Sequence, residues 1–426
     1  MKIEQLHRLF LTCSGVCTDT RKIKKNTMFF GLKGENFNGN AYAETALENG
    51  ARYTIIDDPE FDILNETILV EDVLMTLQQL AAFHRRYLKT TIIALTGSNG
   101  KTTTKELINS VLSQKYITIA TIGNLNNHIG VPLTLLSMNE KTEIGIVEMG
   151  ANHLDEIKFL CKIAKPDYGY ITNFGKAHLE GFGSLKGVIK GKSEMYDFLI
   201  KKKKFIFVNG NDPIQVDKTK ESKRYIFGDN NETTDISINF IEAQPYVKCT
   251  FENLELKSQL IGDYNFNNIS AAIAIGSYFK VDNKTIKTAI ENYIPTNNRS
   301  QIIQKNSNKI ILDAYNANPT SMRAALLNFE KLAGFKIAIL GDMFELGNDA
   351  EKEHQEIINL AETLNLNSIY FIGKNFYKTK ITFKHINQFE TFDDFKNHFD
   401  FSQIESTTLL IKGSRGMALE RVLNLQ

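Results

Sequence analysis

The run Thr91-Ile92-Ile93-Ala94-Leu95 is short, apolar and β-branched, the pattern of a strand covered on both faces. A glycine-containing polar stretch follows, and then residues 102–114 with helical spacing. Further apolar runs at 144–147, 168–172 and 205–208 alternate with helix patterns such as 154–163. Strands alternating with helices at this spacing predict βαβ units and a mostly parallel sheet. The texture repeats towards the C-terminus, where 310–312, 336–340, 369–372 and 409–411 read as strands and 321–332, 350–362 and 415–425 as helices. Ahead of all this, residues 78–88 have helical spacing and end on His84-Arg85-Arg86. The pattern predicts an α/β protein of three domains. These are a smaller N-terminal domain (1–88), a central doubly wound domain (89–295) and a C-terminal Rossmann-like domain (296–426).

Length agrees with that division, since 426 residues at roughly 150 per domain make about three. Lys plus Arg number 50 against 49 Asp plus Glu, a net charge of +1, which excludes a nucleic-acid coat or a polybasic membrane binder. A hydrophobic content of 42% supplies real cores. Cys13, Cys17, Cys161 and Cys249 form no C-x-x-C pair, so reduced structural thiols are expected. Glu4, His7 and Arg8 sit where a signal peptide needs apolar residues, and no stretch approaches the ~20 apolar residues of a membrane span. A soluble cytoplasmic monomer is expected. The four lysines 201–204 end a predicted helix, where the helix dipole favours cations on a solvated face.

The segment Thr96-Gly97-Ser98-Asn99-Gly100-Lys101-Thr102-Thr103-Thr104 lies between a predicted strand and a predicted helix, the setting of a phosphate cradle. Glycines let backbone N–H groups turn towards an anion, and the helix N-terminus adds partial positive charge. Lys101 can reach the β and γ phosphates, and the Thr102 hydroxyl can hold Mg²⁺. The first glycine of G-x-x-x-x-G-K-[ST] would fall on Leu95, so the match to the general P-loop is incomplete. Glu148 ends the strand 144–147, at the strand edge where open α/β sheets bind ligands, and suits a Mg²⁺ ligand. His178 follows another strand and reads either as a structural histidine or as a ligand. Lys192 reads as exposed helix surface.

The phosphate loop closely resembles that of the Mur ligases, which also lack the first P-loop glycine. Other segments fall in the same order: Asn124-Leu125-Asn126-Asn127-His128-Ile129-Gly130-Val131-Pro132, Glu148-Met149-Gly150 and Gly262-Asp263-Tyr264-Asn265-Phe266-Asn267-Asn268. Three more narrow the resemblance to the member that adds a dipeptide. They are Tyr315-Asn316-Ala317-Asn318-Pro319, Gly341-Asp342-Met343-Phe344-Glu345-Leu346-Gly347 and Lys412-Gly413-Ser414-Arg415-Gly416-Met417. The resemblance implies that Thr20, Arg21, Lys33 and Gly34 hold a UDP-sugar, with Thr20 in place of the family serine. It implies that Gly97, Ser98, Asn99, Gly100, Lys101, Thr102 and Thr103 hold ATP, with Asn265 and Asn268 near the adenine, Arg299 at the phosphates and Asp313 at the ribose. Asn126 and Asn127 would face the muramoyl peptide and phosphates. Tyr315, Asn316, Lys412 and Ser414 would serve the dipeptide. Lys192, chosen over Lys190, matches a lysine that the superfamily often carbamylates, and with Glu148 and His178 it would hold a second Mg²⁺.

The activity so implied is ATP-dependent amide formation. The terminal carboxylate of UDP-N-acetylmuramoyl-tripeptide is phosphorylated and the amine of D-Ala-D-Ala displaces phosphate, with Lys101, Glu148, His178 and Lys192 as the catalytic set. Neither a nucleic-acid partner nor a membrane span is expected. The alternatives are a sister ligase that adds a single amino acid, as folylpolyglutamate synthetase does, and a P-loop phosphotransferase or nucleotide-gated binding module.

Overall fold

The computed structural model describes residues 1–229 and 233–425. The first sheet has four parallel strands in spatial order β1-β2-β3-β4: β1 (Val16–Cys17), β2 (Thr27–Phe30), β3 (Ala51–Ile56) and β4 (Thr67–Leu69). Helix α1 (Ile3–Phe10) precedes it, and α2 (Val73–Leu88) follows. Asp72 caps α2 by accepting from the Met75 amide, so this helix starts a turn and a half earlier than its apolar spacing suggested. One face of α2 packs on α1 and the other on two helices of the next unit, so it belongs physically to both.

The second sheet has nine strands: β5 (Thr91–Thr96), β6 (Thr118–Ala120), β7 (Ile144–Glu148), β8 (Tyr168–Ile171), β9 (Phe205–Asn209), β10 (Lys223–Gly228), β11 (Ile236–Ala243), β12 (Tyr246–Phe251) and β13 (Leu254–Ile261). Their spatial order is β13-β12-β11-β10-β9-β8-β5-β7-β6. The strands from β5 to β11 pair in parallel, while β12 and β13 extend the sheet as antiparallel hairpins that the sequence reading did not assign. Helices α3 (Lys101–Leu112), α4 (Glu156–Ala164), α5 (Leu185–Lys201) and α6 (Asn265–Tyr278) flank the sheet. Ile92, Ile93, Ala94 and Leu95 in β5 are fully buried, and burying each isoleucine stabilises by about 2 kcal/mol. The direction of winding reverses at β5, which has β7 on one side and β8 on the other, so its carboxyl end is the sheet's switch point.

The third sheet runs β14-β15-β19-β16-β17-β18, from β14 (Gln301–Lys305), β15 (Asn308–Asp313), β16 (Phe335–Gly341), β17 (Ser368–Ile372), β18 (Ile386–Phe389) and β19 (Thr407–Lys412). All pairs are parallel except the β14–β15 hairpin. Helices α7 (Pro319–Glu330) and α8 (Ala350–Thr363) cross over it. The helix expected over 415–425 is instead two 3-10 turns, Arg415–Met417 and Leu419–Asn424, broken at Ala418, whose φ of 48° leaves the right-handed helical region. Gln426, the last residue of the expected third domain, lies outside the described residues. All four cysteines are unpaired thiols. Among the described residues no helix is long and apolar enough to cross a membrane.

Candidate active site

The carboxyl ends of β5, β7 and β8 face those of β15 and β19 across one cleft of about 470 Å³. The loop after β5 supplies its floor, because the chain must turn sharply between a buried strand and α3. Gly97 has φ 143°, and a Cβ there would lie 2.0 Å from the Thr172 hydroxyl. Gly100 has φ 79°, and its Cβ would lie 2.4 Å from Asn268 Oδ1. The loop is strapped to the segment after β8. The Ser98 amide donates to the Asn173 carbonyl (3.1 Å), Ser98 Oγ donates to the Gly175 carbonyl (2.9 Å), and Thr172 Oγ1 donates to the Asn99 carbonyl (2.6 Å).

Lys101 is half-buried, and its ammonium folds back onto the carbonyls of Gly97 (2.8 Å) and Ser98 (3.3 Å). Burial lowers its pKa; the Glu148 carboxylate opposes that and the Arg299 guanidinium adds to it. Buried Glu148 accepts from Thr102 Oγ1 at 2.9 Å and from Asn126 Nδ2 at 2.8 Å, and its own amide donates to Thr121 Oγ1. A hydroxyl and a carboxylate oxygen side by side suit a hard divalent cation, so Thr102 and Glu148 fit one Mg²⁺ site.

The remaining predicted residues divide sharply. Ser98, Asn99, Gly100, Thr103, Asn126, Asn127, His178, Asn265, Asn268, Arg299, Asp313, Tyr315, Asn316 and Lys412 all line the same cleft. Several also have protein partners. Asn268 accepts from Thr104 Oγ1 (2.9 Å) and donates to Asn265 (2.8 Å), which donates to the Ile261 carbonyl (2.8 Å), so this chain pins α6 behind the loop. Asp313 and Lys412 are register neighbours on β15 and β19, and Lys412 Nζ donates to Asp313 Oδ2 at 2.6 Å. Arg299 lies over the Tyr315 ring at 3.6 Å, and its buried Nε has no partner among the described residues. Ser414 is buried beneath this wall, with Oγ accepting from the Phe344 amide at 2.8 Å.

Lys192 corrects the sequence reading outright. It is not on the helix surface: it is fully buried, its Nζ donates to the Ala151 carbonyl at 2.9 Å, and it lies 5.2 Å from the centre of the Phe182 ring. Burial, then repulsion from Lys101, pushes its pKa well below the ordinary lysine range. Among the described residues no three His, Cys, Asp or Glu side chains converge as a metal site, and the unmodified Lys192 amine adds no ligand oxygen. His178 Nδ1 lies against the Glu345 carboxylate of the third unit, and that contact holds the Glu345 carboxyl below its usual range.

Thr20, Arg21, Lys33 and Gly34 are not brought to the cleft. Arg21 is exposed and paired with Asp19 at 2.8 Å, Lys33 pairs with Asp57 at 2.8 Å, and Gly34 lies in a two-stranded hairpin of the first unit. The residues that sequence reasoning did not single out are those joining the two walls. Asn318 Nδ2 donates to Asn99 Oδ1 at 2.7 Å, Thr320 Oγ1 accepts from the Lys176 amide at 3.0 Å, and Glu353 pairs with Lys176 at 2.5 Å. Asn318 and Glu345 sit inside the motif strings quoted above, but nothing local marks either as a cross-cleft contact.

Family models match the chain in the same order: the Mur ligase family catalytic domain over 12–85, the Mur ligase middle domain over 95–276 and the Mur ligase glutamate ligase domain over 298–415. The UDP-N-acetylmuramoyl-tripeptide–D-alanyl-D-alanine ligase of Bacillus subtilis is 35% identical over 424 residues, covering 96% of this chain and 92% of the relative. The chain belongs to the Mur ligase family. Among solved members, a crystal structure of MurF from Acinetobacter baumannii is 30% identical with a TM-score of 0.86, covering 99% of this chain and 98% of that one. MurF from Thermotoga maritima, solved in complex with ADP, is 26% identical with a TM-score of 0.83, covering 98% and 97%. The three-sheet α/β architecture of this Mur ligase is thus that of its solved relatives.

Proposed function

We propose that the chain is an ATP-dependent peptide ligase that joins D-alanyl-D-alanine to the terminal carboxylate of UDP-N-acetylmuramoyl-tripeptide, giving ADP, phosphate and the UDP-linked pentapeptide of peptidoglycan precursor synthesis. The observation that carries this reading is the phosphate loop, with its Thr102–Glu148 pair, facing the third unit's Arg299, Tyr315 and Lys412 across one cleft. A carboxylate is a poor electrophile and an ammonium is no nucleophile, so amide formation in water needs an energy source. Transfer of the γ-phosphoryl group to the substrate carboxylate breaks the bond to ADP and forms an acyl phosphate. Attack by the deprotonated dipeptide amine then forms the amide and expels phosphate.

The first step brings two anions together, and Lys101 and Arg299 lower that repulsion. Mg²⁺ held by Thr102 and Glu148 would supply charge neutralisation at the phosphates. No covalent enzyme intermediate is needed, so the remaining residues contribute positioning. Asn265 and Asn268 would border the adenine and Asp313 the ribose, with Ser98, Asn99 and Thr103 around the phosphates. Asn126 and Asn127 would meet the muramoyl peptide, and Tyr315, Asn316, Lys412 and Ser414 would shape the dipeptide side. Thr20, Arg21, Lys33 and Gly34 would take the UDP.

A second metal site at Glu148, His178 and Lys192 requires carbamylation. Burial supports that requirement, because it favours the neutral amine that adds to CO₂ with loss of a proton. The three units would be 1–88, 89–295 and 296–426, in a cytoplasmic monomer. Amide product and ADP are to be measured together with acceptors offered singly. Equal yields with D-Ala-D-Ala are expected, whereas preference for single amino acids would move the assignment to a sister ligase.

A further inference from the structure

The end of the central sheet opposite the cleft carries a second concavity, of about 570 Å³, that no step of the ligation uses. It lies where β5, β8 and β9 begin, some 20 Å from the phosphate loop at roughly 3.3 Å per residue of β5. Six cations line it: Arg85, Arg86, Lys162, Lys165, Lys202 and Lys204. A single carboxylate, Asp167, lines it with them. Asp167 is saturated, accepting from Arg85 Nη2 (2.8 Å), Lys204 Nζ (2.7 Å) and the Ile92 amide (3.1 Å). Arg85 is further fixed by its bond to the Ala164 carbonyl (3.0 Å). Among the described residues, Arg86, Lys162, Lys165 and Lys202 make no ion pair at all.

Helix dipoles are the plain alternative explanation, since α2, α4 and α5 all end here. Each C-terminus is worth about half a negative charge, so the three together offset roughly 1.5 of the five excess positive charges. More than three remain, gathered in one hollow of a chain whose net charge is only +1. Their crowding is costly: burial and then the neighbouring Arg86, Lys202 and Arg85 push the Lys165 pKa down. The hollow also has an apolar side formed by Phe198 and Pro166, which a flat solvated lysine face would lack.

We propose that this hollow is a binding site for an anion bearing two or more phosphate groups, separate from the ATP cleft. Two linked phosphates carry about the charge that the dipoles leave uncompensated. Arg85, held by Asp167, is a rigid donor, and the four unpaired side chains can close around the ligand. Free diphosphates and phosphate-bearing lipid headgroups share this chemistry.

Inorganic diphosphate would be titrated into the full chain by calorimetry, with the cleft filled by a non-hydrolysable ATP analogue, and binding to vesicles of cardiolipin, whose headgroup carries two phosphates, and of phosphatidylcholine would be measured by sedimentation. One diphosphate per chain is expected, weakened about tenfold or more in the triple variant K162E/K165E/K202E, because three charge-assisted contacts are reversed. Lys203→Glu makes the same kind of charge change outside the hollow and should alter binding by less than about twofold. Lys165→Gln alone should act in the same direction by a smaller factor. Sedimentation with cardiolipin vesicles alone, lost in the triple variant, would assign the same site to paired lipid phosphates. The proposal is overturned if neither probe binds, or if the triple variant and Lys203→Glu behave alike. Ligation without added diphosphate should be unchanged in the triple variant, so the result stands apart from the assignment of the ligase activity.

Discussion

On the central wall of the cleft, Lys101, Thr102, Asn126 and Glu148 are fixed by bonds within one sheet and its loops, and the backbone there has no room for a Cβ. On the facing wall, Arg299, Tyr315 and Lys412 are ordered within the third unit, and that unit meets the phosphate loop region through polar contacts at Asn318, Thr320, Glu345 and Glu353. The difference separates two jobs. Phosphate binding wants a preorganised cradle that does not move, because its value lies in dipoles already aimed at the charge. Acceptor binding wants a wall that can withdraw, and polar contacts at a partly wet seam are weak enough to allow that.

The largest effect should come from Lys101→Ala, on the rigid side. Turnover should fall roughly 10³-fold or more with the unfolding temperature unchanged, since one preorganised cation at a transferring phosphoryl group is lost. Near-normal turnover would break the comparison at its root. Gly97→Ala should come next and act on stability. A Cβ 2.0 Å from Thr172 Oγ1, at φ 143°, should cost about 3 kcal/mol in the denaturation midpoint. Gly334→Ala, at φ 88° with nothing within 4 Å, should cost about 1 kcal/mol, so equal losses would show that steric contact with Thr172 is irrelevant.

A third seam, between the first unit and the central one, sharpens the contrast through pH. His7 Nε2 and His84 Nδ1 are 3.0 Å apart and buried, and His84 Nε2 lies 3.0 Å from the Met138 carbonyl, which requires its proton. Burial and then the His84 neighbour depress His7 from about 6.5 to about 4, and burial lowers His84 as well. The unfolded chain therefore binds more protons between those values, so stability is complete above pH 6.5 and declines as pH falls towards 4. The loss should be on the order of 2 kcal/mol, read from urea midpoints, and His7→Gln should flatten that pH dependence. The smallest effect belongs to the facing wall. Glu353→Gln, which weakens the pair between buried Glu353 and partly exposed Lys176, should shift the dipeptide KM by about 0.5–1 kcal/mol and leave ATP affinity alone. Equal changes in both would mean that the two walls are one rigid body.

The phosphate loop was legible because strand, glycine turn and helix are contiguous, and the backbone of one short segment makes the cradle. The βα alternation was legible for the same reason, each buried strand being a dense apolar run. The hairpins of β12 and β13 were not assigned: their apolar residues alternate with polar ones, as in Tyr246–Phe251, and no helix separates β11, β12 and β13 to make βα units. The expected last helix failed at Ala418, where the chain turns to bury Leu419 and Val422 against the third sheet. Motif resemblance singled out Asn265 and Asn268, which line the cleft, yet it could not show that their amides brace α6 against the loop.

By itself, then, the chain's order of apolar runs and glycines determined the strand–helix alternation of the second and third units and the glycine turn at a strand's carboxyl end, because such features depend on residues adjacent in sequence. Only the tertiary structure decided that Lys192 is buried rather than exposed, that His178 meets Glu345, and that six cations share one hollow. Those facts depend on which helix faces pack and which strand ends coincide, and residues far apart in sequence acquire their charge environment only once the sheets are assembled.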